Sequence, residues 1–425
     1  MSSPAQSLTL EGRAFHQAGQ LGLARQKYEQ ALQVDPDNAD TLFLLGAVAY
    51  QSGELESAAG WLSRSVTIQP ANAVALCNLG VVLNNLKRHR EAIERYDQAL
   101  TLRADYADAW SNRGNAFNAL GQFADAVGSY DRALAVNPAM AEAHFNRATA
   151  LGELGQHLAA LAGYDQAIAL RPGFAAAHYN RGDCLHVLCR NQPAVESYDR
   201  AIALRPDHAL THYNRGNALF DLRHYAAALA SYDRSIAIDP GKADVFANRG
   251  NVLREMRQYQ AAVESYDRAL TLNPDNEAVF AVRLHSRMNA CDWRGVPEEI
   301  AELASRIGAS RDTTPPFCVL GVTDDPALQL LAAQQWAAKK YPASPALGPL
   351  APRSGARRLK VAYFSADFRN HSVAFLTAAL FEAHDRTRFA LLRRGTPHRV
   401  LAAPRHRAAA RPHVHARHRS RRVRQ

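Results

Sequence analysis

Prolines stand at Pro36, Pro70, Pro138, Pro172, Pro206, Pro240 and Pro274, each separated from the next by 34 residues or twice that. The single vacancy in the series is Ala104. A fixed period of this length means one unit of two helices and a turn copied along the chain. Each copy buries its apolar face against its neighbours. Most of the chain is therefore expected to be an α-solenoid rather than a globule around one core. A solenoid offers a long continuous groove, a shape suited to holding another polypeptide.

With the proline at position 32 of each unit, eight units run from Ala5 to Asn276. Position 8 is small throughout: Gly12, Gly46, Gly80, Gly114, Ala148, Gly182, Gly216 and Gly250. Position 20 is always alanine, from Ala24 to Ala262, and position 24 is large: Leu62 in the second unit and tyrosine in the others, from Tyr28 to Tyr266. Small residues at 8 and 20 let two helices approach, the large residue fills the space beside them, and the proline is expected to stop the second helix. This spacing resembles the tetratricopeptide (TPR) repeat, which implies a mostly α, right-handed superhelix of eight repeats over residues 5–276.

The other face of the first helix carries amides. Position 6 reads Asn78, Asn112, Asn146, Asn180, Asn214 and Asn248 in six successive units, joined at position 9 by Asn115, Asn217 and Asn251. Asparagine is a mediocre helix former, costing up to ~0.7 kcal/mol against alanine. Its amide offers one donor group and one acceptor, matching a peptide unit of an extended chain. The expectation is a row that holds a polypeptide backbone without reading side chains. The competing reading is that duplication copied the asparagines, but positions 4 and 5 have diverged (Trp110-Ser111, His144-Phe145, Phe246-Ala247) while position 6 has not. Helix packing alone is not expected to call for an amide there. Arg113, Arg147, Arg181, Arg215 and Arg249 at position 7 are expected to pair with aspartates at position 25, Asp131 to Asp267, of their own or a neighbouring unit. A clamp for a terminal carboxylate would need lysine on this face, and position 5 (Ser111, Phe145, Tyr179, Tyr213, Ala247) has none.

No run approaches the ~20 apolar residues of a membrane span, and the N-terminus has no secretory pattern. Cys77, Cys184, Cys189, Cys291 and Cys318 lack metal or disulfide spacing, so no metal is expected and a reducing cytoplasm fits. The formal charge of +10 at pH 7 resembles a nucleic-acid signal until it is located. Arg393 to Gln425 holds eleven arginines and no acid, and without it 39 basic groups stand against 40 acidic ones. The body is neutral, and neither nucleic acid nor membrane is an expected partner.

Beyond the repeats, residues 277–352 read as a helical connector with helices near Asn276–Ala290, Pro297–Arg306 and Pro326–Lys340, ending in a proline-rich linker. Residues 353–391 read as the start of an α/β unit: a strand Leu359–Phe364, a polar loop Ser365–His371 and an apolar helix from Val373 to His384. Repeats with asparagine at position 6, then CDW, PPF, KVAYFSADFRNHSVAFL and FEAHDRTRF, resemble the O-GlcNAc transferase and SPINDLY-type protein glycosyltransferases, particularly their bacterial relatives, as far as about Phe389. The resemblance implies transfer of a sugar from a nucleotide-sugar donor such as UDP-GlcNAc to serine or threonine of a protein threaded along the groove, by two Rossmann-like lobes. It also implies that His371 lines the active-site cleft, although the second histidine of animal members is Phe375 here.

After Phe389 the likeness stops. Residues 392–425 are rich in Arg, His, Ala and Pro without periodicity, as a GC-rich gene reads in the wrong frame. They are expected to be a disordered tail after a frameshift. No phosphate loop, catalytic triad or metal motif occurs. The expectation is a recognition solenoid for extended Ser/Thr-containing segments, with most of the catalytic region missing, no cofactor of its own and no transferase activity. A generic TPR interaction scaffold is the alternative, as is an active transferase if the true frame continues.

Overall fold

The computed structural model describes residues 3–309, 314–340, 342, 359–364 and 389–394. Helices run in antiparallel pairs, one pair to a unit: α1 (Pro4–Gln17) with α2 (Leu21–Val34), α3 (Ala39–Gln51) with α4 (Leu55–Ile68), α5 (Ala73–Asn85) with α6 (His89–Leu102), α7 (Ala107–Ala119) with α8 (Phe123–Val136). The second half continues with α9 (Ala141–Glu153) and α10 (His157–Leu170), α11 (Ala175–Val187) and α12 (Asn191–Leu204), α13 (Ala209–Asp221) and α14 (Tyr225–Ile238), α15 (Ala243–Glu255) and α16 (Tyr259–Leu272). Each second helix packs on its own first helix and on the first helix of the next unit. First helices also touch one another from unit to unit, whereas second helices do not pack together to that extent. The first helices are thus the more closely spaced row.

The closeness of each pair is set at position 8. A Cβ on Gly114 would lie 2.6 Å from Cε1 of Tyr130, and one on Gly216 2.5 Å from Cε1 of Tyr232. Ring and helix backbone therefore share space that only hydrogen leaves free. The fifth unit breaks the rule with Ala148, and the neighbouring position compensates. Position 23 is serine at Ser129, Ser197, Ser231 and Ser265 but Gly163 here, where a Cβ would meet Ala148 Cβ at 2.9 Å. The turn inside each unit needs left-handed backbone. Glycine supplies it at Gly121 (φ +72°), while Lys87, Cys189, Arg223 and Arg257 adopt it at φ of 57–61° against the usual steric cost.

The proline turns out not to end the second helix. α6 stops at Leu102, the same position as in the other units, although the proline position holds Ala104. What recurs instead is a bond from the next first helix to the carbonyl at position 32. Trp110 Nε1–H donates to Ala104 O at 2.9 Å, and the Nε2–H of His144, His178 and His212 donates to Pro138, Pro172 and Pro206 O at 3.0 Å.

Past the repeats, α17 (Glu277–Asn289) stacks on α16 as a further first helix. It is followed by α18 (Val296–Ala309), longer than expected, a short α19 (Pro316–Leu320) that the sequence did not announce, and α20 (Pro326–Lys340). Phe280, Leu284, Leu303, Ile307 and Val319 form the core that closes this end. Arg283 bonds Asp267 on α16 and Glu299 on α18, and Arg287 reaches Glu299 at 2.6 Å and Asp292 at 3.2 Å.

The chain divides into two compact units at Pro342/Ala343. In the second, β1 (Leu359–Phe364) pairs in parallel with β2 (Phe389–Arg394), Leu359 opposite Phe389 and Phe364 opposite Arg394. Parallel pairing requires a long crossover, and residues 365–388 provide the length. The expected strand is present. A second one continues to Arg394, so Leu392–Arg394 fall in a strand and not in the structureless tail assigned to 392–425. Backbone pairing along the apolar Phe389-Ala-Leu-Leu run is the physical reason. The expected helix 373–384, the loop carrying His371 and residues 395–425 lie outside the described residues.

Gly216→Ala should destabilise the solenoid by up to ~2 kcal/mol, the ~1–3 kcal/mol of overpacking less the ~1 kcal/mol gained in helix propensity. Gly128→Ala, on α8 with nothing within 4 Å of its Cβ site, should instead stabilise by ~0.5–1 kcal/mol. Denaturant midpoints of the two variants provide the comparison.

Candidate functional site

Each tyrosine pressed on a position-8 glycine is buried, so its hydroxyl needs a partner. From the fourth unit onward that partner is position 9 of the same unit. Tyr130 Oη donates to Asn115 Oδ1 at 2.7 Å, Tyr198 to Asp183 Oδ1 at 2.7 Å, Tyr232 to Asn217 Oδ1 at 2.8 Å and Tyr266 to Asn251 Oδ1 at 2.9 Å. Tyr164 reaches Thr149 Oγ1 at 3.3 Å.

The same acceptors take the asparagine row. Asn146 Nδ2 donates to Asn115 Oδ1 at 3.0 Å, Asn180 Nδ2 to Thr149 Oγ1 at 3.5 Å, Asn214 Nδ2 to Asp183 Oδ1 at 2.9 Å and Asn248 Nδ2 to Asn217 Oδ1 at 3.0 Å. Asn214 and Asn248 also donate to the hydroxyls of Tyr179 and Tyr213, both at 3.0 Å. A polar seam thus links first helix to first helix, and the expectation that packing calls for no amide at position 6 is corrected at these four residues. The position-9 residue preceding Asn78 is Ala47 and that preceding Asn112 is Val81. Neither side chain can accept, and the Asn112 amide lies instead against the Cys77 thiol. Where the seam is missing the tyrosines suffer, since the hydroxyls of Tyr28 and Tyr96 are buried without a partner.

What the row can still offer is its carbonyl edge. Asn146, Asn180 and Asn214 are half-buried. Among the described residues no hydrogen bond reaches their Oδ1 atoms, and none of the three atoms is sealed from solvent. Each amide is oriented by its bonded nitrogen and presents an oxygen. Asn115, Asn217 and Asn251 spend their Oδ1 on the tyrosines; Asn115 and Asn217 accept from the row as well, whereas Asn251 donates to Asn248 Oδ1 at 3.5 Å.

The position-7 arginines choose the preceding unit. Arg147 pairs with Asp131, Arg181 with Asp165 and Arg215 with Asp199, each at 2.6 Å, and Arg249 with Asp233 at 2.7 Å. Nη1 of Arg181, Arg215 and Arg249 also donates to Ser197, Ser231 and Ser265 in their own units. The aspartates are about half exposed, so each pair contributes ~0–1 kcal/mol and their charges are neutralised locally. Among the described residues no group of three His, Cys, Asp or Glu could hold a metal, and no helix is long and apolar enough to cross a membrane.

Tyr96→Phe should be neutral or stabilising, because it deletes an orphan hydroxyl, whereas Tyr232→Phe should cost ~0.5–1.5 kcal/mol for a satisfied bond. Equal effects in denaturation would contradict the seam. Burial also holds the hydroxyls of Tyr96, Tyr130, Tyr198, Tyr232 and Tyr266 above the ordinary tyrosine range, and pushes Tyr106 up to about 12. A folded pKa above the unfolded value gives stability that is complete below pH ~10 and lost as pH rises through the folded value. Calorimetry should show a melting temperature independent of tyrosine ionisation up to pH ~10, then a loss of up to ~1.4 kcal/mol per pH unit for each such tyrosine. Tyrosinate absorbance should appear together with unfolding, and full titration before unfolding would contradict it.

The repeats have recognisable relatives. A family model described as TPR repeat matches residues 12–53, 85–120, 114–155 and 190–223. Models described as tetratricopeptide repeat match 145–192, 209–242 and 243–276. No curated protein matches the chain. Similar solved structures include a MamA protein, at 23% identity over 40% of this chain and 94% of that one, TM-score 0.38. YrrB, described as a TPR protein with an unusual peptide-binding site, has 23% identity over 42% of this chain and 92% of its own, TM-score 0.39. PilF of Pseudomonas aeruginosa has 22% identity over 48% and 92%, TM-score 0.43. At these values the likenesses say nothing of what this chain binds. The repeat models together span more than half of the sequence, and the chain belongs to the tetratricopeptide repeat family.

Proposed function

We infer that the solenoid is a protein-interaction module that holds extended polypeptide along its first helices, with the amides of Asn146, Asn180 and Asn214 as backbone contacts. The observation that carries this reading is the geometry of those amides: Nδ2 is held by the neighbouring unit, and Oδ1 stays accessible with no partner among the described residues. A pre-oriented acceptor repeated in three successive units suits the N–H groups of an extended chain. Pre-orientation lowers the entropy lost on binding. Asn78, Asn112 and Asn248 extend the row. Tetratricopeptide solenoids are built for protein partners, and the neutral body of this one gives no reason to invoke nucleic acid.

The finer reading is that the module recognises acceptor proteins for a nucleotide-sugar-dependent O-glycosyltransferase of the O-GlcNAc transferase and SPINDLY kind, with His371 in its cleft. Its support is the sequence of residues 359–389, and the parallel β1–β2 pair is compatible with it. A generic interaction scaffold is the second reading, favoured by the repeats alone. Incubating the purified chain with labelled UDP-GlcNAc and a bacterial lysate addresses the activity directly.

The groove reading is tested by replacing Asn146, Asn180 and Asn214 together with alanine. Four hydrogen bonds are lost, one each from Asn146 and Asn180 and two from Asn214, so the variant should melt earlier, by ~0.5–1.5 kcal/mol per bond. Well below the melting range, its affinity for extended Ser/Thr-rich peptides should fall on the order of 10- to 1000-fold in fluorescence anisotropy. The control is Tyr198→Phe with Tyr232→Phe and Tyr266→Phe, which weakens the seam without touching the amides. If that control loses as much affinity, the asparagines serve stability alone and the reading fails.

A further inference from the structure

Position 12 of the repeat carries asparagine or something larger in seven of the eight units, and Gly152 in the fifth. A Cβ on Gly152 would meet nothing within 4 Å. In the space left there is a cavity of about 210 Å³ between α9, α10 and α11, lined by Glu153, His157, Asn180 and Asp183 with Thr149 and Tyr164. It therefore lies beside the asparagine row, where one unit lacks the side chain that others place on this face.

Its charge is as unusual as its shape. Asp183 is the one carboxylate in the position-9 series, which elsewhere in the seam reads Asn115, Thr149, Asn217 and Asn251. The seam does not need that charge, because asparagine accepts the same two bonds at 115 and 217. Both bonds to Asp183 fall on Oδ1, from Tyr198 and Asn214. Among the described residues neither Asp183 Oδ2 nor the exposed Glu153 is paired with a lysine or arginine. Two carboxylates on one recess, uncompensated from within the protein, favour a cation from outside it. No group of three His, Cys, Asp or Glu among the described residues could hold a metal, so the donors suit an ammonium or guanidinium group that brings its own hydrogen-bond donors.

We propose that this cavity receives a lysine or arginine side chain of the polypeptide lying on the asparagine row. The proposal rests on the reading of that row as a backbone binder and adds a position where side chains are read. Asp183 and Glu153 accept from the cationic head, and the recess opened by Gly152 takes the aliphatic stem. A groove otherwise indifferent to sequence thereby gains one register mark.

The test uses the full chain and a labelled, extended Ser/Thr-rich peptide with one central lysine, beside a twin in which norleucine keeps the stem and removes the charge. In fluorescence anisotropy at low salt the lysine peptide should bind tighter on the order of 10-fold, as a charge-assisted contact implies, and the gap should narrow as salt is raised. Asp183→Asn combined with Glu153→Gln should bring the two peptides to the same affinity with the melting curve kept, since asparagine serves the seam at the equivalent positions. Equal binding of both peptides by the parent chain, or an undiminished preference in the double variant, overturns the cationic subsite. In that case a shared affinity that the triple asparagine variant loses leaves the backbone reading standing. If neither peptide binds the parent chain, both fall.

Discussion

The contact between a position-8 glycine and a position-24 tyrosine governs both the packing within a unit and the polar chemistry between units. The ring occupies the space where a Cβ would stand, at 2.5–2.6 Å in the tyrosine-containing glycine units, and so sets how closely two helices lie. It also buries a phenol. A buried hydroxyl without a partner costs ~1–3 kcal/mol, and this cost selects the residue at position 9. Asparagine, aspartate and threonine occur there from the fourth unit onward because each has an oxygen to accept the proton. Once that oxygen is in place, the asparagine of the next unit can use it as well. Intra-unit packing and inter-unit adhesion thus share one atom, and that sharing by itself accounts for the amides of Asn146, Asn180, Asn214 and Asn248.

The eight units are not equivalent in this respect. The first three lack acceptors at position 9, leave two tyrosine hydroxyls orphaned and rely on aliphatic packing around Leu76, Leu79, Val82 and Leu83. The later units combine smaller, alanine-rich contacts with the seam and with arginine–aspartate pairs to the preceding unit. Arg283 continues those pairs onto α17, so the terminal helices are docked by the same chemistry that joins the repeats. A solenoid of one period is held by two different balances of forces along its length.

The helical stack was legible in the residues because its determinants recur as identities: the glycine, the alanine, the tyrosine and a period of 34. The arginine–aspartate pairing was legible too, except for which unit supplies the aspartate, a matter of superhelical rise that spacing does not encode. The seam was not. Position 9 changes identity from unit to unit while keeping an oxygen, so nothing repeats for the eye. It emerges only on asking what could satisfy a buried Tyr130 or Tyr232. Proline misled in the other direction, because Ala104 shows a repeated residue marking a turn it does not create. As for the second unit, β1 was foreseen and β2 was not, because the composition after Phe389 obscured a short apolar run that pairs with its neighbour. His371 falls among residues outside those described.

Thr149 is where the shared atom is a hydroxyl rather than a carbonyl or carboxylate, and its two seam contacts are the longest, 3.3 Å to Tyr164 and 3.5 Å from Asn180. A stack in which each unit touches only its neighbours behaves as a one-dimensional chain of coupled elements, and its cooperativity is limited by its weakest coupling. The polar coupling between the fifth and sixth units is that minimum within the seam. Among the seam-bearing units, the polar contribution to holding neighbours together is therefore smallest there. That Asn180–Thr149 contact lies beside the place where Gly152 already leaves the face unfilled. The amide row is thus uneven along its length, with its thinnest polar seam and its unfilled recess at one junction.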